Sequence, residues 1–258
     1  MLKKLKKLLL VILFFGSIII FIDMKYLSIS RLKVKEVVLE YDQIPQSFDK
    51  SKILIFSDVY GDEKQLQKVV KQVDEIKPDF IIFLGNLFEN QDNDIKLIQK
   101  SLESMEAPLG KFSILGEKDY DYDLESLKQL YSDTGFRLIE NDILQIHRFE
   151  DEYIHFAFID RFGSNMENVI SEQDTFTLTF SHSPNVINRG ILFSGKTMNG
   201  KVNIPLIGSI YFQDEPTKFY TKSKKLDLYL TAGVGTDSPQ IRFLADPNII
   251  VVELKSSK

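Results

Sequence analysis

The sequence predicts an α/β fold of two mixed sheets packed face to face, flanked by helices and preceded by one membrane-spanning helix. Three observations lead there. Apolar runs alternate with helical periodicities as far as Asn141, strand then follows strand to the C-terminus, and a basic stretch opens onto a long apolar segment at the N-terminus.

At the N-terminus, Lys3, Lys4, Lys6 and Lys7 precede the apolar run from Leu8 to Ile22, which only Gly16 and Ser17 interrupt. Met24, Tyr26 and Leu27 extend its apolar character towards the roughly 20 residues that span a bilayer core. No small-x-small cleavage signal follows Ile22, so an uncleaved signal anchor is expected. The lysines ahead of it favour a cytoplasmic N-terminus. The expected organisation is a basic cytoplasmic tail (1–7), a transmembrane anchor (8–27), a linker with a leading strand (28–50) and a globular domain (51–258) outside the membrane. Localisation follows as single-pass in the cell membrane, with the bilayer itself as one partner.

Beyond the anchor, Leu32, Val34 and Val38 suggest a leading strand, and Ile53 to Phe56 a buried one. Leu66, Val69, Val70, Val73 and Ile76 recur at helical spacing until Pro78, before the strand Phe80 to Leu84. That is a βαβ unit. A helix carrying Ile95, Ile98 and Leu102 precedes the strand Phe112 to Leu115, and another from Leu124 to Tyr131 precedes Arg137 to Ile139. Strands are then expected at Ile143 to Ile146, Tyr153 to Ile159, Phe176 to Phe180, Ile191 to Phe193, Leu228 to Leu230, Ile241 to Phe243 and Ile249 to Leu254. A short helix is expected near Met166 to Ile170.

Composition excludes several chemistries. The net charge of -5 over 258 residues provides no basic field for a nucleic-acid backbone. The absence of Cys removes thiolate metal sites, disulfides and a Cys nucleophile. Only His147, His155 and His182 offer imidazoles, and the first two fall inside expected strands, as solvent-facing or hydrogen-bonded residues.

The chemistry-bearing positions cluster where strands stop: KILIFSDVYGD, DFIIFLGNLFEN, KFSILGEKDYDY, TLTFSHSPN and ILFSGKTMNGK. In order and spacing these corners resemble those of the calcineurin-like metallophosphoesterases, in particular membrane-anchored or exported bacterial members. The resemblance runs over nearly all of residues 50–254 and implies a four-layer αββα sandwich. That family uses Asp-x-His, Gly-Asp, Gly-Asn-His, a lone His and Gly-His-x-His to hold two metal ions. By this resemblance Asp58 and His182 keep ligand positions. Tyr60 stands in place of a His ligand, Asn86 in place of the bridging Asp, and Glu117 in place of a ligand Asn. Lys118 replaces the His that assists the leaving group, while Lys196 and Met198 replace two further His ligands.

An ammonium cannot ligate while protonated, and a thioether is too soft for Mg or Mn, so the two-metal site is expected to be lost. At most one divalent ion (Mn, Zn or Mg) would remain on Asp58, Asn86, Glu117 and His182. Two placements are open for Lys118 and Lys196: paired with Asp58, Glu117 and Asp119 where a metal would stand, or extended to solvent. Two functions follow. One is a non-catalytic binding or scaffold protein at the cell envelope, with an envelope protein as partner. The other is a divergent phosphoesterase acting on an envelope or lipid-linked phosphate ester with one metal or none.

Overall fold

The computed structural model describes residues 2–89, 95–149, 151–160 and 175–258. The N-terminal helix α1 (Leu2–Ile22) runs on through a wider turn at Asp23–Leu27 and a last helical turn at Ser28–Ser30. This helical run of 29 residues is long and apolar enough to cross a membrane, and none of its apolar stretch is buried against the protein.

Two six-stranded mixed sheets follow. The elements of the first are β1 (Lys33–Tyr41), β2 (Lys52–Phe56), α2 (Glu63–Ile76), β3 (Phe80–Phe83), α3 (Ile95–Glu103), β4 (Gly110–Ser113), α4 (Leu124–Asp133) and β5 (Phe136–Leu138). The second is built from β6 (Asp142–Phe149), β7 (Glu152–Ile159), β8 (Thr177–Ser181) and β9 (Gly190–Ser194). A small hairpin of β10 (Asn203–Ile204) and β11 (Gly208–Ser209) comes next, then β12 (Tyr220–Lys222), β13 (Leu226–Leu230) and β14 (Asn248–Ser256). The final strand returns to the first sheet, whose order is β1-β14-β2-β3-β4-β5; the second sheet runs β12-β13-β9-β8-β7-β6.

Strand periodicity assigns each residue its layer. Ile53 and Ile55 of β2 join Phe80, Ile82, Phe156, Phe158 and Phe180 between the sheets. Leu54 and Phe56 point the other way, onto Leu66, Val69, Val73, Leu102 and Leu127 of the covering helices. Near-continuous apolar runs are what strands buried on both faces require. Asp62 caps α2 by accepting the Gln65 N–H at 3.0 Å, and Lys77 ends it in the left-handed region ahead of Pro78.

Two sequence expectations change. The leading strand is not a free connection: β1 pairs in parallel with β14 from Lys33↔Asn248 to Tyr41↔Ser256 and forms the sheet edge. Ile241 to Phe243 is no strand, since its one ladder contact is the Phe243↔Val202 bridge. The chain there wraps instead around the buried Arg242, whose donors take local carbonyls. The helix expected near Met166 to Ile170 lies outside the described residues.

Candidate functional site

Parallel strands bring their carboxyl ends to one edge, so the loops after β2, β3, β4, β8, β9 and β13 meet there. Asp58, Asn86, Glu117, His182 and Lys196 follow five of these strands. The corners are tight. Asp58, Tyr60, Asn86, Lys196 and Met198 all have positive φ, between 47° and 69°, a region that side chains other than Gly and Asn enter at a cost. The backbones behind Asn86 touch: a Cβ on Gly85 would lie 2.1 Å from the Gly116 nitrogen. A Cβ on Gly116 would lie 2.3 Å from Asn86 Oδ1. Only glycine fits either place.

Asp119 ties this corner together. Its buried carboxylate accepts the backbone N–H groups of Asn86 (2.7 Å), Leu87 (2.9 Å) and Gly116 (2.8 Å). Burial raises its pKa, and those three donors, which act in the opposite direction, do not fully offset it. Asp119 therefore meets backbone amides rather than a lysine.

At the centre, Asp58 is wholly buried. Its Oδ1 accepts Asn86 Nδ2 at 2.9 Å and the Tyr60 hydroxyl at 3.1 Å. Its Oδ2 accepts the Ser57 hydroxyl and, at 3.3 Å, the Lys196 backbone N–H. A carboxylate has about four lone-pair directions, and all are used. Burial, and then the Asp58 charge, push the Tyr60 phenol well above its ordinary pKa, which keeps it a donor.

Asn86 is held with equal definition. Its Oδ1 accepts the Lys118 N–H at 2.8 Å, which turns Nδ2 inward, 3.0 Å from His182 Nε2 and 3.1 Å from the Tyr60 oxygen. His182 Nδ1 lies 2.7 Å from the Leu84 carbonyl, which can only accept. Nδ1 thus carries the proton and Nε2 presents its lone pair to the Asn86 amide. His182 Nε2 is 3.9 Å from Asp58 Oδ1.

The two lysines divide between the expected placements, Lys118 extending to solvent and Lys196 pairing with Glu117 though not with Asp58. Lys196 sends only its backbone N–H to Asp58, while its ammonium bridges Glu117 at 3.1 Å and Glu215 at 3.2 Å. Burial lowers the Lys196 pKa, and the two carboxylates outweigh that effect and raise it overall. Lys118 turns outward to a 3.7 Å contact with Asp121. Behind the site lies a fully buried cation, Arg242, in the stretch expected as a strand. Its guanidinium donates to Thr236 Oγ1, the Ala245 carbonyl and the Gly235 carbonyl. Burial pushes its pKa down to about 10 against the opposing pull of Asp58. Glu215 and Arg242 were both missed. Glu215 gave no signal in a polar loop, whereas an Arg set between Ile241 and Phe243 was a visible anomaly.

Of the expected metal ligands, Asp58, Asn86 and His182 converge, joined by Tyr60. Glu117 is exposed and engaged by Lys196, and Met198 is buried. Among the described residues no three His, Cys, Asp or Glu side chains form a metal-holding group. The bridging position carries an amide whose hydrogens face Asp58. The residues present therefore do not fit a pair of divalent ions. His147 is exposed on β6, and His155 is buried on β7 beside the Thr175 hydroxyl.

Comparison with known proteins places this edge in context. The model of the calcineurin-like phosphoesterase family matches residues 51–233. An uncharacterized metallophosphoesterase of Bacillus subtilis, YkuE, is 27% identical over 255 residues, covering 90% of this chain and 89% of that one. Another from Aquifex aeolicus is 23% identical, covering 87% and 92%. A transmembrane protein with metallophosphoesterase domain from Danio rerio is 22% identical over 87% of this chain, which spans 58% of that protein. The solved structure of an archaeal phosphodiesterase aligns with a TM-score of 0.42 at 14% identity, over 70% of this chain and 84% of that one. The chain belongs to the calcineurin-like phosphoesterase family.

Proposed function

We propose that this protein is a single-pass membrane-anchored member of its family that works as a binding or scaffold protein at the cell envelope rather than as a dinuclear hydrolase. One observation carries the reading: every lone-pair direction of the Asp58 carboxylate is taken by a hydrogen-bond donor of the protein itself. A metal ion there would have to displace the Asn86 amide and the Tyr60 hydroxyl, and Lys196 and Met198 supply nothing in their place. The domain lies outside the cytoplasm, as Lys3, Lys4, Lys6 and Lys7 ahead of α1 favour. Its partner is an envelope protein, and nucleic acid is disfavoured by a net charge of -5.

The alternative, a divergent phosphoesterase with one metal or none, draws on the His182 Nε2 lone pair 3.9 Å from Asp58. Without a metal pair to acidify water, the nucleophile would be poorly activated and turnover slow by orders of magnitude. The deciding experiment incubates the full chain in detergent with Mn, Zn or Mg and a generic phosphodiester, alongside metal analysis of the protein as isolated. Substoichiometric metal and no turnover support the scaffold reading. Metal-dependent turnover that Asp58→Ala abolishes establishes the hydrolase instead.

A further inference from the structure

Two leucines stand against solvent in left-handed backbone. Leu206 (φ 71°) is 108% exposed, and Leu244 (φ 53°) is 61% exposed. Leu206 occupies the tip of the β10–β11 hairpin, where Ile207 N–H donates to the Ile204 carbonyl at 3.0 Å around Pro205. That pattern is a turn whose third residue needs positive φ and is ordinarily Gly or Asn. A leucine there accepts backbone strain and leaves its side chain unburied. Ile207, Ile210 and Tyr211 continue the exposed apolar surface.

The hairpin is bonded to the base of the N-terminal helix through one shared loop. Asn203 donates its backbone N–H to the Phe243 carbonyl at 2.9 Å and its Nδ2 to the Leu244 carbonyl at 3.2 Å. From the same loop, the Arg242 N–H donates to the Met24 carbonyl at 3.0 Å. Asp246 accepts Ser28 Oγ at 2.9 Å and pairs with Lys33 at 2.6 Å. A cavity of about 290 Å³ between helix base and loop is lined by Asp23, Arg31, Lys33, Lys35, Asn199 and Leu244, among others. The base of the hairpin is therefore bonded, through this loop, to the helix where the exposed Tyr26 and Leu27 end its apolar stretch.

We propose that the hairpin Asn203–Ser209, with Leu244 beside it, is a second membrane contact that seats in the headgroup and acyl boundary of the bilayer the N-terminal helix enters. The inference rests on the anchor reading above. An apolar tip inserts while Lys25, Arg31 and Lys33 remain among the headgroups, the division of labour of an interfacial membrane element. The strained leucines then have a reason, because the turn at Leu206 and the loop at Leu244 present them outward to lipid instead of inward to a core.

The test uses the absence of cysteine from the sequence. Full-length F14C, L206C and K255C variants are labelled with an environment-sensitive fluorophore and reconstituted into phosphatidylcholine vesicles with or without doxyl-labelled lipid. Position 14 reports on the anchor. Lys255 sits at the far end of the β1–β14 pair, about 25 Å along the strand from Lys33. Blue-shifted emission and loss of fluorescence to doxyl lipid are expected for F14C and L206C, with neither for K255C. Quenching of F14C but not L206C overturns the hairpin contact and leaves the anchor standing. A blue shift at L206C without doxyl quenching overturns it in favour of a protein partner or second copy. An unquenched F14C overturns the anchor and this proposal together, and equal quenching at K255C overturns it as non-specific collapse onto lipid.

Discussion

Asn86 donates its side-chain amide to Asp58 Oδ1 at 2.9 Å, and this neutral contact stands where the family resemblance puts a carboxylate shared by two metal ions. Much of the pocket's behaviour follows from that pair. With an amide the site closes on itself; with a second carboxylate it would need a cation.

Asn86→Asp tests this directly. The variant replaces two donated hydrogens by a charge facing Asp58, and should lower unfolding free energy by about 3 kcal/mol in chelator. Thermal melts in Mn should recover part of the loss if the second carboxylate recreates a cation site. A variant as stable in chelator as the parent would contradict the closed-network account.

Tyr60→Phe removes the hydroxyl that donates to Asp58 and receives from Asn86, at a cost of about 1 kcal/mol. The folded phenol is held well above its ordinary 10.0, so the unfolded chain loses that proton first as pH rises. Stability from this group is complete below pH 10 and declines above it. Urea titrations at pH 8 and pH 10.5 should show a steeper alkaline loss for the parent than for Tyr60→Phe.

Lys196→Met should destabilise by about 1 kcal/mol, since it strands the half-buried Glu215 and frees the exposed Glu117. The Lys196 pKa is raised above 10.5, so the contribution is fully present below that value and disappears as pH climbs through the folded one. No change in the urea midpoint at neutral pH would place both contacts among ion pairs without energetic weight.

Arg242→Met removes a fully buried cation whose charge acts on Asp58, and orphans the carbonyls of Gly235 and Ala245. A loss of about 3–4 kcal/mol is expected by chemical denaturation. Adding Asp58→Asn should restore part of it, because the uncompensated charge goes too. Additive effects of the two substitutions would mean that Arg242 serves the loop and not the carboxylate.

The architecture was legible because it rests on periodicity. The β2 run of Ile53, Leu54, Ile55 and Phe56 and the α2 spacing of Leu66, Val69 and Val73 each encode their layer locally. The corners were legible for a related reason: apolar runs that stop at small and polar residues mark strand ends. Side-chain direction at those corners was not. Whether Lys196 would reach Asp58 or Glu215 depends on a backbone at φ 69° and on a loop some twenty residues downstream, neither of which the local pattern records. Arg242 failed as a strand residue because its flanking Ile241 and Phe243 imitate β alternation, while the guanidinium's need for three acceptors decided the conformation.

The helical run Leu2–Ser30 enters the domain without a hinge: Arg242 grips Met24, Gln65 bonds to Ile29, and Lys68 to Ser30. At about 1.5 Å per residue its 29 residues reach about 44 Å, enough to cross a bilayer core of about 30 Å with length left over at both ends. A helix so joined leaves the pocket no slack tether. On the anchored reading proposed above, the pocket is held near one height over the lipid, within reach of ligands from solution and from the membrane alike.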